Sequence, residues 1–201
     1  MSKISSTLSK TFILFLFLFN MLSAEQESFP FIGVTVSTQT VDLKPIIQGA
    51  DGKPLADRPL SSSETTYGIQ YGVQTKDFRT TFSAEGNSNF QTIDVEVDYI
   101  LMDQMFGTPK LRPYVGGTLG YINYDSEVIK SYNQDRIIDD ANHDRNTSIS
   151  TSDGYYGLDF GFLVYVTDDI DLDISYHYYF MDRLRPLDTM NGATFSLHYF
   201  Y

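Results

Sequence analysis

Two Ser-x-His pairs are the residues best equipped for covalent chemistry, Ser175/His177 and Ser196/His198. A serine activated by a histidine, with an acid such as Asp173 orienting the ring, is the constellation of a hydrolase. A second set invites a different chemistry: Arg79, Glu85, Asp94, Glu96, Asp98, Arg112, Asp159, Asp171, Asp173 and His177. Charges of both signs on one face build an ion-paired network, whereas an excess of acids lining a passage attracts cations. The elements that carry these residues decide which chemistry is open to them.

The stretch from Gly154 to Phe180 is the most informative. Tyr156, Leu158, Phe160, Phe162, Val164 and Val166 alternate with Tyr155, Gly157, Asp159, Gly161, Leu163 and Tyr165. After Thr167-Asp168-Asp169, Ile170, Leu172, Ile174, Tyr176, Tyr178 and Phe180 alternate with Asp171, Asp173, Ser175, His177 and Tyr179. Period two over so many residues predicts two long strands joined by a tight turn. Strands of this length, tilted by about 45°, suit a bilayer better than a soluble sheet. The apolar face then meets lipid, and the polar face meets the interior of a barrel.

The same rule predicts further strands at Phe31–Ser37, Glu64–Gln74, Phe78–Glu85, Phe90–Met102, Leu111–Ile122 and Asp188–Tyr201. The expected fold is all-β, an eight-stranded antiparallel up-and-down transmembrane barrel. A lipocalin-like soluble barrel would point its apolar sets inward instead. Connections 39–62 and 123–152 are long, and those at 75–77 and 167–169 are short. The longer loop holds Asp125, Glu127, Asp135, Asp139, Asp140 and Asp144 without the spacing of a calcium loop.

Lys3 and Lys10, the apolar run Thr11 to Leu22 and the ending Leu-Ser-Ala at Ala24 predict a secretory signal peptide over 1–24, with cleavage after Ala24. Residues 25–201 form one domain. Removing the signal takes the net charge from −12 to about −14, which argues against nucleic acid as a partner. With no Cys there is no disulfide framework. A mean hydropathy of −0.20 does not exclude a membrane barrel, because outward and inward residues cancel in any window.

Two short motifs carry a resemblance. Leu111 to Tyr121 reads L-R-P-Y-V-G-G-T-L-G-Y, with Pro113, Tyr114, Gly116, Gly120 and Tyr121 in register with a Pro-Tyr-x-Gly-x-Gly-x-Gly-Tyr-type strand. It resembles that of the small outer-membrane β-barrels of the OmpA-type and porin-opacity superfamily. The ending, with Gly192, Phe195, Leu197, Tyr199 and Tyr201, is similar to the signal read by the barrel-assembly machinery of such proteins. Met190 stands where that signal often has a polar residue.

The resemblance implies an integral protein of a Gram-negative outer membrane. Its expected partners are outer-membrane lipid, lipopolysaccharide and the assembly machinery. It is expected to be a monomer with no cofactor, no metal and no peptidoglycan-binding domain after Tyr201. Short periplasmic turns and long external loops then put both termini in the periplasm.

On that orientation Tyr121, Tyr124, Tyr155, Tyr176, Tyr178 and Phe180 gather towards the external rim. Phe78, Tyr99, Phe106 and Tyr201 gather towards the periplasmic one. The charged set should fill the lumen as a salt-bridged plug, Arg79 and Arg112 bracketed by Glu96, Asp98, Asp171 and Asp173. Inward Gly68, Gly72, Gly116, Gly120, Gly157 and Gly161 take little space and leave a narrow cation-preferring pore as the alternative. Both Ser-x-His pairs face the lumen, away from any lipid substrate, and no nucleophile elbow is present. The expectation is a structural or surface-interaction role without catalysis, with a lipid hydrolase as the remote third reading.

Overall fold

A computed structural model describes residues 27–43, 60–101, 107–124, 152–181 and 187–201. The signal segment, the acidic stretch 125–151 and Phe106 lie outside them. Eight strands follow in chain order: β1 Phe29–Leu43, β2 Leu60–Gln74, β3 Phe78–Gly86, β4 Phe90–Ile100, β5 Leu111–Tyr124, β6 Ser152–Tyr165, β7 Ile170–Phe180 and β8 Leu187–Phe200. Each pairs antiparallel with its neighbours, and β1 pairs with β8 to close the barrel. Closure leaves no unpaired sheet edge, the condition for a β-structure in hydrocarbon.

Following the register once round, from Thr189 through Phe180, Tyr156, Leu119, Val95, Phe82, Tyr71 and Ile32, returns to β8 at Tyr199, ten residues on. Eight strands with that shear tilt by about 40–45° and enclose an interior that side chains can fill.

The facing rule follows the alternation. Ile69, Tyr67, Leu158 and Leu119 are 67–68% exposed on the outer wall, while Arg79, Asp98, Asp159, Asp171 and His198 are buried within. An apolar exterior around a polar interior is the inverse of a soluble barrel, and places this chain across a bilayer.

The strands differ from expectation mainly at their ends. β1 and β2 run on to Leu43 and from Leu60 through stretches rich in Thr and Ser, which lack the apolar outward residues of the strand segments below them. Residues 39–43 and 60–62, expected in a loop, are therefore paired strand. β4 stops at Ile100, and β5 continues to Tyr124.

The turns are built from local side chains. Thr75 Oγ1 accepts from the Phe78 amide at 3.1 Å. Asn87 Oδ1 accepts from the amides of Asn89 and Phe90 at 2.8 Å each, and its amide nitrogen donates to Glu64 at 3.1 Å, tying the β3–β4 turn to β2. Gly107, with φ of 75°, occupies the left-handed region in the β4–β5 connection.

Candidate functional site

The inward residues form three storeys. The middle one is ionic. On β3, Arg79 is 2% exposed. Its Nε donates to Asp98 at 2.8 Å, its Nη1 lies 2.6 Å from Asp173 and its Nη2 3.5 Å from Glu96. The guanidinium stacks over Tyr114 at 4.5 Å, and the Tyr114 hydroxyl donates to Asp173 at 2.9 Å. One cation thus joins β3, β4, β5 and β7 across the barrel.

Every other carboxylate predicted for the lumen also has a partner. Tyr155 donates to Asp94 at 2.7 Å, Tyr179 to Asp159 at 2.9 Å and Thr66 to Glu85 at 2.9 Å. Thr118 donates to Asp159 as well. Asp171 does not join the Arg79 cluster; it meets His198 Nδ1 at 2.8 Å. Arg112 also departs from its expected place. It sits at the mouth nearest the termini, where its guanidinium donates to the Lys76 carbonyl. At the start of β5 it lies too close to the barrel end to reach the central acids. Leu163 and Tyr114 occupy the next inward level instead.

The two Ser-x-His pairs do not assemble a nucleophile. His177 bonds Gln39 through Nε2 and faces Thr194 through Nδ1 at 3.5 Å. His198 is held between Asp171 and Gln70, the latter at 2.7 Å. Ser196 donates to Thr35 at 3.0 Å. Each ring has both nitrogens engaged by groups other than its neighbouring serine. Among the described residues no three His, Asp or Glu side chains are grouped to hold a metal ion.

The other two storeys are apolar. Val41, Phe90, Ile122, Tyr124, Tyr155, Tyr179, Met181 and Met190 cluster at the loop end. Ile100, Tyr114 and Leu163, with Tyr165 against them, cluster at the end carrying the termini. Tyr124 and Tyr155 therefore line the interior and do not belong to the lipid-facing rim predicted for them. Parity marks these residues: Phe90 and Ile100 keep the inward phase of Asp94, Glu96 and Asp98, and Leu163 keeps that of Asp159. Counting that phase out to the strand ends would have found both clusters.

The inward glycines do not leave open space. Each makes room for a large group from across or beside it: Phe31 over Gly72, Glu85 over Gly68, Asp98 over Gly116, Tyr155 over Gly120, Tyr179 over Gly157 and Tyr114 over Gly161. What remains among the central polar side chains is about 20 Å³, enough for a single water.

The fit has a measurable consequence at Gly161. A Cβ there would stand 2.7 Å from both the Tyr114 ring and the Ile174 carbonyl. Gly161→Ala should cost about 1–3 kcal/mol by pushing Tyr114 off Arg79. Gly117→Ala, whose Cβ would meet only the Gly157 carbonyl at 3.6 Å, should be close to neutral. Urea unfolding in lipid vesicles compares the two.

The residues of the expected assembly signal split by face. Phe195, Leu197, Tyr199 and Tyr201 are exposed on the outer wall, and Gly192 points inward against Thr38, Gln39 and His177.

No family model matches the sequence, and no curated protein matches it. Solved structures do match the fold. Neisserial surface protein A (NspA) superposes with a TM-score of 0.54 at 15% identity, covering 85% of this chain and 97% of that one. Outer membrane protein H (OprH) from P. aeruginosa superposes with a TM-score of 0.51 at 17% identity, covering 86% and 99%. Closed order, shear, inverted polarity and these superpositions agree: the chain has the fold of the small eight-stranded outer-membrane β-barrels.

Proposed function

We propose that this chain is an integral outer-membrane barrel that acts through its surface, as a structural or interaction protein, and neither conducts solutes nor catalyses a reaction. The supporting observation is the lumen itself. An ion-paired middle storey with room for one water lies between an apolar cluster at each end. A passage would need groups that replace an ion's hydration along its whole length, and the Phe90–Met190 and Ile100–Leu163 clusters offer only tyrosine hydroxyls, three of which are already bonded to Asp94, Asp159 and Asp173. The two longest connections, 44–59 and 125–151, fall at one end and the short turns 75–77 and 166–169 at the other, with 87–89 and 101–110 departing from that contrast; the longest connections support periplasmic termini and an external loop end. Outer-membrane lipid, lipopolysaccharide and the assembly machinery are the partners this placement implies.

Planar-bilayer recording of the purified, heat-modifiable protein tests the reading. No channel events are expected at any voltage that the bilayer withstands. Reproducible unitary currents that change with Arg79→Gln would replace it with the cation-pore alternative. Recovery of the mature protein in the soluble periplasmic fraction would remove the membrane assignment altogether.

A further inference from the structure

The outer wall is not equally tall all round. On β5, β6 and β7 the outward apolar positions run from Tyr121 to Leu111, from Tyr156 down to Val166 and from Phe180 to Ile170, ten residues each, broken only by Gly117. On β1 and β2 they run only from Val36 to Pro30 and Tyr67 to Val73, six residues each, and on β8 from Ala193 to Tyr201, eight residues with the small Ala193 at the top. At a rise near 3.3 Å and a tilt near 43°, these spans correspond to about 24 Å on β5 to β7, about 19 Å on β8 and about 15 Å on β1 and β2.

On β8 and β1 most of the shortfall lies at the loop end, and on β2 it is divided between the two ends. The rows of the register climb by about 1.25 residues per strand, a shear of ten shared by eight strands. On that scale Thr38 on β1 and Tyr156 on β6 stand within about one residue of the same height. Tyr121, Tyr156 and Phe180 form an exposed aromatic crest on one side. At that level the opposite side presents Asn191, Thr38 and Thr65, continued outward by Thr40 and Ser63, whose hydroxyls bond at 3.1 Å. Tyr176 donates to Asn191 at 3.3 Å where the two sides meet. Among the described residues this polar face carries no cation.

We infer that the lipid leaflet at the loop end is thinned along β8, β1 and β2, so that its polar headgroups descend onto Thr38, Thr65 and Asn191 while acyl chains cover the β5–β7 side to its crest. The occupant is the headgroup layer of the bilayer, because a wall shorter than the hydrocarbon is accommodated by local thinning. Hydroxyl and amide side chains without net charge offer hydrogen bonds to phosphate or sugar oxygens, and nothing apolar for acyl chains to cover. The inference rests on the membrane placement proposed above.

The chain contains no cysteine, so single labels are clean. Thr38→Cys and Tyr156→Cys, each carrying an environment-sensitive fluorophore, are folded into dioleoylphosphatidylcholine vesicles. An aqueous quencher should reach the label at 38 several-fold more readily than the label at 156. Equal protection at both sites overturns the thinning. Protection at 38 that disappears on dilution with lipid overturns it in favour of a second copy on this face. Ready access at both sites removes the membrane placement, and the inference with it. A second readout does not depend on labels. Thr38→Leu with Thr65→Leu and Asn191→Leu should shift the acyl-chain length that supports the fastest insertion towards longer chains, and an unchanged optimum overturns the inference.

Discussion

Replacing Arg79 by Met should destabilise the barrel by about 3–5 kcal/mol, the cost of leaving buried charges without their partner. Asp98, Asp173 and Glu96 converge on this one guanidinium, and Asp98 is 0% exposed. The loss should appear as a lowered urea midpoint in lipid vesicles, followed by the shift between folded and unfolded gel bands. Adding Asp98→Asn and Asp173→Asn to Arg79→Met should recover much of it, because the penalty comes from stranded charge and not from the missing arginine contacts. Arg112→Met, at the half-buried mouth, should cost far less. If Arg79→Met and Arg112→Met unfold at the same urea concentration, the ion cluster does not hold the barrel together.

The second large effect belongs to the outside. Phe160 lies near mid-height of the tall wall, more than half exposed, with Tyr176 at 5.5 Å as its ring neighbour. Phe160→Arg should cost about 2–4 kcal/mol if this face meets hydrocarbon, and the same change at the crest, Tyr121→Arg, only about 0–1 kcal/mol. The gradient with depth is the diagnostic. In water an exposed Phe→Arg change is close to neutral wherever it is placed. Equal and small costs at 160 and 121 would therefore mean that this wall faces water or another protein.

Much of the architecture could be read from alternation alone. In β6 and β7 the contrast between Phe160 or Tyr176 and Asp159 or His177 set both the strand and its facing. The ends of β1 and β2 escaped because the outward phase turns polar at Thr38, Thr40, Asp42, Ser61 and Ser63 while the apolar Val41 takes the inward phase, which breaks the apolar-out rule followed below them. Their pairing comes from the backbone ladder, which leaves no mark on composition. The inward set was legible as a set but not as a network. Parity places Arg79, Arg112, Asp171 and Asp173 on one face, yet height along the tilted strand decides which of them meet. Arg79 and Arg112 are each the second residue of their strand, but the shear sets Arg112 about 1.5 residues nearer the mouth, so one bonds three carboxylates and the other a turn carbonyl. His198 paired with Asp171 across the β7–β8 ladder for the same reason, a matter of register that periodicity does not carry.

The closing ladder between β1 and β8 governs how the chain reaches this state. Its contacts include the hydrogen bond from Ser196 to Thr35, separated by 161 positions. Long-range pairing of this kind must wait until the whole chain is at hand, and it slows folding. Until β8 docks, both β1 and β7 present unpaired amides and carbonyls that hydrocarbon cannot satisfy. A half-built barrel is therefore not a stable waiting state inside the bilayer. Insertion and closure have to proceed together, with the aromatic-rich last strand as the piece whose arrival commits the chain.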